Sequence, residues 1–149
     1  MEVFRLAGKK YSKILTGAGA AINGARWNSK GIEIIYTSQN RALTIAELLV
    51  HYTAAIIPEN FELITMMIPD EIEFQEIKLN ELPDDWNIFP NNYETKKIGD
   101  KFITENKYCL LKVPSVVVKG EYNILINPAH MHFKKIYKKR TEKFKIDNR

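Results

Sequence analysis

Runs with strand character recur along this chain, and helical runs do not alternate with them regularly. That order restricts the fold more than any other feature of the sequence. Ile32-Glu33-Ile34-Ile35-Tyr36-Thr37 is rich in β-branched and aromatic residues, as a buried strand is. Val3–Leu6 predicts a short first strand, and further strands are expected over Phe61–Ile68, Ile72–Leu79, Tyr108–Val113 and Tyr122–Ile126. One helix is expected from about Asn40 to Tyr52, with Ser38 as its cap. A second fits Thr95–Glu105, where Ile98 and Phe102 stand one turn apart despite Gly99 between them. Pro83 and Pro90 punctuate an irregular stretch before it. Parallel doubly wound sheets need a crossover helix between successive strands. The pattern here favours α+β with a mixed sheet.

The length of 149 residues fits one domain with a real core, and no low-complexity linker or internal repeat divides it. No run of eighteen apolar residues predicts a membrane span. The first residues, Met1 to Lys10, lack the apolar core of a signal peptide, so a cytoplasmic protein is expected. The lone cysteine, Cys109, sits in the strand-like run Tyr-Cys-Leu-Leu-Lys-Val and reads as a packed core thiol rather than a nucleophile. Gly17, Gly19 and Gly24 superficially suggest a dinucleotide fingerprint. Ile22 occupies the third glycine's place and no clear strand precedes, so the motif is a decoy.

Charge is unevenly placed. From Lys134 to Arg149 there are eight Lys/Arg against two acids; removing these from the chain's 22 bases and 18 acids leaves 14 against 16. The body is thus slightly acidic and the end strongly basic. Phe144-Lys145-Ile146-Asp147 alternates like an edge strand, where lysines block pairing with other chains. A patch for nucleic acid or an acidic partner is the other reading.

Candidate chemistry gathers around the central helix. Asn40, Arg41, Thr44, Glu47 and His51 form a narrow polar stripe among Ala42, Leu43, Ile45, Ala46, Leu48, Leu49 and Val50. The stripe is either a solvated face or the lining of a cleft with Glu47 as a functional carboxylate. Gly24-Ala25-Arg26-Trp27-Asn28 sets an arginine among small residues, suited to anion recognition or to packing on Trp27. Tyr36 ends its strand just before the helix, as a core ring or a site residue.

In order and spacing these segments resemble the RES-domain family. The resemblance rests on Gly24 through Asn28, Tyr36-Thr37-Ser38 and Ala42 through His51. It continues with Val113-Pro114-Ser115 and with Asn123 through Leu125-Ile126-Asn127-Pro128-Ala129-His130. Phe144 through Arg149 is similar to that family's closing strand, and Arg5 matches an early arginine. The family's namesake Arg, Glu and Ser fall on Arg26, Glu47 and Ser115. Two departures are the missing proline shortly after the serine and an unmatched middle from Phe61 to Tyr93.

The resemblance implies an ADP-ribosyltransferase-like fold and a toxin that consumes NAD as substrate, without cofactor or metal. It also implies restraint by a helix-turn-helix antitoxin. On that reading Glu47 holds the ribose hydroxyls and stabilises the oxocarbenium-like transition state. Tyr36 stacks on or orients nicotinamide, Arg26 and Arg5 bind the pyrophosphate or neighbouring oxygens, and Ser115 and Asn127 contribute polar contacts. Asn127 can equally shape a turn, and His51 can face the site or be satisfied on the helix. Water, phosphate or a protein side chain could each be the acceptor, and homodimerisation is a further expectation. Two readings from other classes compete: a nucleic-acid module using the basic end with Phe133, Tyr137 and Phe144, and a metal hydrolase using His130-x-His132.

Overall fold

The computed structural model describes residues 1–51, 60–90 and 93–145. Among them seven strands form one sheet: β1 (Glu2–Gly8), β2 (Ile35–Ser38), β3 (Phe61–Met67), β4 (Phe74–Glu76), β5 (Leu110–Pro114), β6 (Tyr122–Ile126) and β7 (Tyr137–Lys143). Their order across the sheet is β4-β5-β6-β2-β1-β3-β7. Only β4 and β5 run parallel; the other neighbours are antiparallel. Among the described residues three α-helices accompany the sheet: α1 (Ala18–Asn23), α2 (Arg41–Leu49) and α3 (Tyr93–Glu105). The fold is α+β with a mixed sheet, as the order of elements predicts.

The two faces of the sheet carry different cores because successive strand residues point to opposite sides. Val3, Ile35, Ile64, Met66, Leu110, Ile124 and Ile126 pack on one face. Ile34, Leu111, Val113 and Leu125 pack on the other, against Trp27, Trp86 and Phe102. Tyr36 belongs to this second face, paired with Leu125, and Ser38 follows it two residues on, paired with both Asn123 and Phe4.

The ladder is shortest where β1 meets β2. β1 and β3 align seven residue pairs, and β2 and β6 four, whereas β1 meets β2 through the single pair Phe4↔Ser38. The sheet is therefore two strand groups, β4-β5-β6-β2 and β1-β3-β7, joined by a one-pair seam.

Several local expectations shift. The strand expected over Ile32–Thr37 starts only at Ile35, because the backbone before it turns: Ile32 N donates to Ser29 O, and Ile32 O accepts from the Asn28 side chain. Ser38 does not cap the following helix. It is the last residue of β2, and Asn40 caps α2 by accepting from Leu43 N at 2.8 Å. α2 ends at Leu49, and Tyr52, the expected helix end, lies outside the described residues. The segment Ile72–Leu79 supplies only the three-residue β4, while Tyr122–Ile126 is a strand over the expected range. The glycine-rich stretch forms α1, a six-residue helix.

The last described strand is Tyr137–Lys143, earlier than the expected closing strand Phe144–Arg149, of which residues 146–149 lie outside the described residues. It is the edge of the sheet beside β3, and its lysines and arginine stand where edge protection needs charge. Cys109 is buried, and burial pushes its thiol up to about 11, as expected for an inert core group. Among the described residues no helix is long and apolar enough to cross a membrane.

Candidate active site

The site is built where α2, packed on β1 and β2, reaches the β5–β6 hairpin through its side chains. Asn40 does two things at the head of α2: its side-chain oxygen caps the helix, and its amide donates to Glu121 Oε2 at 3.1 Å. Glu121 in turn accepts from Ser115 N through its backbone oxygen at 2.8 Å. The helix start is thereby registered against the hairpin. Glu47 is seven residues, about two turns, beyond Asn40, so it shares the same helix face. This is the physical reason it reaches the hairpin as well.

Glu47 Oε1 accepts two hydrogen bonds of 2.8 Å, one from Ser115 Oγ and one from Asn123 Nδ2. Ser115 is buried, and its Oγ also accepts from Val117 N and Val118 N at 3.0 and 3.1 Å. With both lone pairs filled, its one proton goes to Glu47. Asn123 is held at its other end by Ser38 Oγ, which donates to Oδ1 at 2.9 Å. No described residue donates to Glu47 Oε2, so the half-buried carboxylate keeps one oxygen for another partner.

Arg26 and Tyr36 stand on the same side of the sheet. The Tyr36 hydroxyl accepts from Trp27 N at 3.1 Å and donates to Asn28 Oδ1 at 2.6 Å. Asn28, fully buried, uses its amide to hold Ala20 O and Ile32 O at 3.0 Å each. The Tyr36 ring is packed beside Trp27 and Leu125, and burial raises its hydroxyl well above the ordinary value of 10.0. The tyrosine is thus a protonated wall and an anchor for the turn that carries Arg26.

Arg26 donates to Trp86 O at 2.8 Å and Ile88 O at 3.2 Å, which engages two of its five N–H donors. Burial lowers the guanidinium from its ordinary value, and the charge of Glu47 acts in the opposite sense. It does not stack on Trp27; Trp27 instead packs against Trp86, ring centroids 6.2 Å apart. The turn is pinned from α3 as well. Thr95 Oγ1 donates to Arg26 O at 2.7 Å, and Gly99 passes so close that an added Cβ would lie 1.5 Å from Trp27 O.

Glu47, Ser115, Tyr36 and Arg26 therefore gather on one face, with Ser115 bound to Glu47 rather than standing apart from it. Two other expected residues do not join them. Asn127 lies four residues beyond Asn123, about 13 Å along the strand direction. Its buried amide donates to Asn106 Oδ1 at 2.8 Å and accepts from Ala129 N at 3.0 Å, which shapes a turn. Arg5 follows Phe4 in β1 and so points to the opposite face, where it pairs with Ile64. Its half-buried guanidinium has no hydrogen-bond partner among the described residues, and burial lowers it from its ordinary value. It stands next to the one-pair seam, on the face of the sheet opposite Glu47.

The rest of the polar stripe is structural. Arg41 pairs with Glu142 at 2.9 Å and lies over the Phe4 ring, Thr44 donates to Asn40 O, and His51 is exposed past the helix end. Asn123 and Ser38 are the residues that sequence reasoning did not single out as site groups. Asn123 sits within a quoted motif, and an amide alternating with Leu125 in a buried strand was the available signal. His130 Nδ1 accepts from His132 N at 3.0 Å while Nε2 meets Lys107 O, so both ring nitrogens are engaged within the protein. An open groove of about 390 Å³ lined by Asp70, Glu71, Glu73, Phe74 and Tyr108 lies at the other end of β5, away from Ser115.

Known proteins resemble this chain over most of its length. The RES domain family model matches residues 2–147. The "Prs ADP-ribosylating toxin" of Sphingobium sp. (strain YBL2) is 36% identical over 137 residues, covering 91% of this chain and 85% of that protein. A protein named "Toxin Res" from Yersinia enterocolitica is 32% identical over 134 residues, covering 89% and 88%. Among solved structures, the crystal structure of the M. tuberculosis MbcT–MbcA toxin–antitoxin complex contains a chain of the same fold. It superposes with a TM-score of 0.77 at 15% identity, covering 96% of this chain and 83% of that one. With a face built around Glu47 and a match over nearly its whole length, the chain belongs to the RES domain family.

Proposed function

We propose that this protein is the toxin of a toxin–antitoxin pair and that it consumes NAD by cleaving the nicotinamide–ribose bond, with water or phosphate as acceptor. One observation carries the reading: a carboxylate, Glu47, is fixed through one oxygen by two neutral donors while its second oxygen is left for a substrate, within electrostatic reach of Arg26. The ring nitrogen of nicotinamide is cationic before cleavage and neutral after it. No general acid is required, and one carboxylate beside the developing ribose cation suffices. Glu47 Oε2 is the group that would hold the ribose hydroxyls and face that charge. Arg26 retains donors for a pyrophosphate oxygen. Tyr36, kept protonated by burial, offers a ring to nicotinamide and no charge that would compete with Glu47. Arg5, on the other face of the sheet, is left out of this reading. Ser115 acts on Glu47, and Asn127 supports a turn.

The partner on this reading is a helix-turn-helix antitoxin that blocks a cytoplasmic enzyme otherwise lethal to its cell. The name of the Sphingobium relative favours a second acceptor, a protein side chain, which would make the enzyme an ADP-ribosyltransferase. One experiment separates these: purified protein is incubated with NAD in buffer, with added phosphate, and with a cell lysate, and every product is identified. Free nicotinamide with ADP-ribose or its 1-phosphate supports the small-acceptor reading; nicotinamide matched by labelled protein supports transfer. NAD left intact in all three arms refutes both.

A further inference from the structure

The groups behind Glu47 form a directed chain, and its far end is Ser38. The geometry points to Asn123 as the positioning residue that sets the Glu47 carboxylate for reaction, with Ser38 holding Asn123 in the working orientation. This inference rests on the proposed NAD-cleaving role of Glu47.

An asparagine amide can present either its NH₂ or its oxygen to a neighbour, and the two orientations fill nearly the same space. Here the choice is decided by partners. Ser38 Oγ lies 2.9 Å from Oδ1 and Glu47 Oε1 lies 2.8 Å from Nδ2. In the reversed orientation an amide oxygen would face a carboxylate oxygen at that distance, with no proton between them. Ser38 itself is buried at the end of β2 and paired in register with Asn123, which places its hydroxyl beside the amide oxygen. The expected cap role for Ser38 is taken by Asn40, and this leaves the serine hydroxyl for Asn123.

Asn123 and Ser115 approach the same oxygen of Glu47. Two donors on Oε1 fix the carboxylate plane, so Oε2 is aimed rather than rotating. Ser115 is held by two backbone N–H groups and cannot reorient. Glu47, which can only accept, turns the Asn123 NH₂ toward itself, and Ser38 anchors the oxygen end, so loss of the Ser38 hydroxyl should be felt at Glu47 although the two share no hydrogen bond. A hydrogen bond to a charged group contributes more than a neutral one, so loss of the Asn123 donor corresponds to about ten-fold or more in rate when the group is needed in the transition state.

The test is a double-mutant cycle on the full chain, read as nicotinamide release from NAD. Asn123→Ala is expected to lower kcat about ten-fold with KM changed less than two-fold, and Ser38→Ala about three-fold in the same sense. Ser38→Ala added to Asn123→Ala is expected to cost nothing further, because Ser38 acts only through the amide. A second readout needs no activity: the Asn123 side-chain NH₂ resonances should exchange slowly with solvent in the native protein and quickly after Ser38→Ala. Unchanged kcat in a folded Asn123→Ala protein, or independent and additive losses, overturns the inference. If Asn123→Ala does not fold, Ser38→Ala leaves every group touching Glu47 in place, and normal kcat with slow NH₂ exchange there overturns it equally. A protein that never releases nicotinamide yet shows the Ser38-dependent NH₂ protection loses the NAD reading while keeping the chain of contacts.

Discussion

Replacing Glu47 by glutamine separates its charge from its shape. The amide oxygen of the Glu47→Gln side chain can still accept from Ser115 and Asn123, so the α2-to-hairpin contacts persist. What changes is their strength. Hydrogen bonds to a charged acceptor contribute roughly 1.5–3 kcal/mol and neutral ones about 0.5–1.5. Two such bonds therefore weaken by about 2–3 kcal/mol before half-exposure reduces this. For a chain of this size that is a fall in Tm of no more than roughly 12 °C. The effect on reaction is of another kind. A full charge about 4–5 Å from a carboxylate at an effective dielectric near 20 is stabilised by roughly 3–4 kcal/mol. A transition state with most of that charge developed would lose about 2.5–3 kcal/mol, a drop near 100-fold in kcat. The assay is nicotinamide release beside a thermal melt of both proteins. A folded Glu47→Gln variant with turnover within about three-fold of the parent would refute the electrostatic role and return Glu47 to helix packing.

Other outcomes follow from the same geometry. Arg26→Lys should weaken NAD binding about ten-fold in calorimetry, since an ammonium cannot hold Trp86 O and Ile88 O in a fork and still reach an anion; equal affinity would make the arginine a loop tie alone. Gly99→Ala should lower Tm by about 5–10 °C, because the added methyl meets backbone at Trp27 O, and an unchanged melt would contradict the close approach. Stability should fall as pH rises above about 10: the unfolded chain releases the Tyr36 proton near 10.0 while the buried hydroxyl keeps it, so the unfolded state binds fewer protons. Cys109, raised from 9.0 to about 11, adds a loss of the same sign starting one unit lower. Tyr36→Phe should remove the upper part of that slope in pH-dependent denaturant melts, and a slope that survives intact would place its origin elsewhere.

What could be read in advance depended on how local the cause was. β6 was legible because Tyr122–Ile126 is a short run rich in aromatic and β-branched residues, and α3 because Ile98 and Phe102 repeat at helical spacing. The charged strand Tyr137–Lys143 was not. Edge strands bury little, and a run of Lys, Arg, Thr and Glu lacks the apolar period by which strands are recognised. The Ser38 cap failed for a similar reason: both Ser38 and Asn40 suit a helix start, and only pairing with Asn123 and Phe4 decides that the serine stays in the sheet. Arg26, Tyr36, Glu47 and Ser115 were nameable from motif spacing. That Ser115 serves Glu47 from 68 residues away, and that Arg5 sits on the other face, are products of strand register, which no short window contains.

The one-pair seam between β1 and β2 has a consequence for how the molecule opens. A sheet with even ladders unfolds as a unit, whereas here the weakest line runs between two well-paired groups. Backbone amides that cross the seam should exchange with deuterium sooner than those shared by β1 and β3 or by β2 and β6. The line passes beside Arg5 on one face and, at Ser38, touches the support of Asn123 on the other. Anything that pries the groups apart or clamps them together, a bound nucleotide or a docked protein, would alter both faces in one movement.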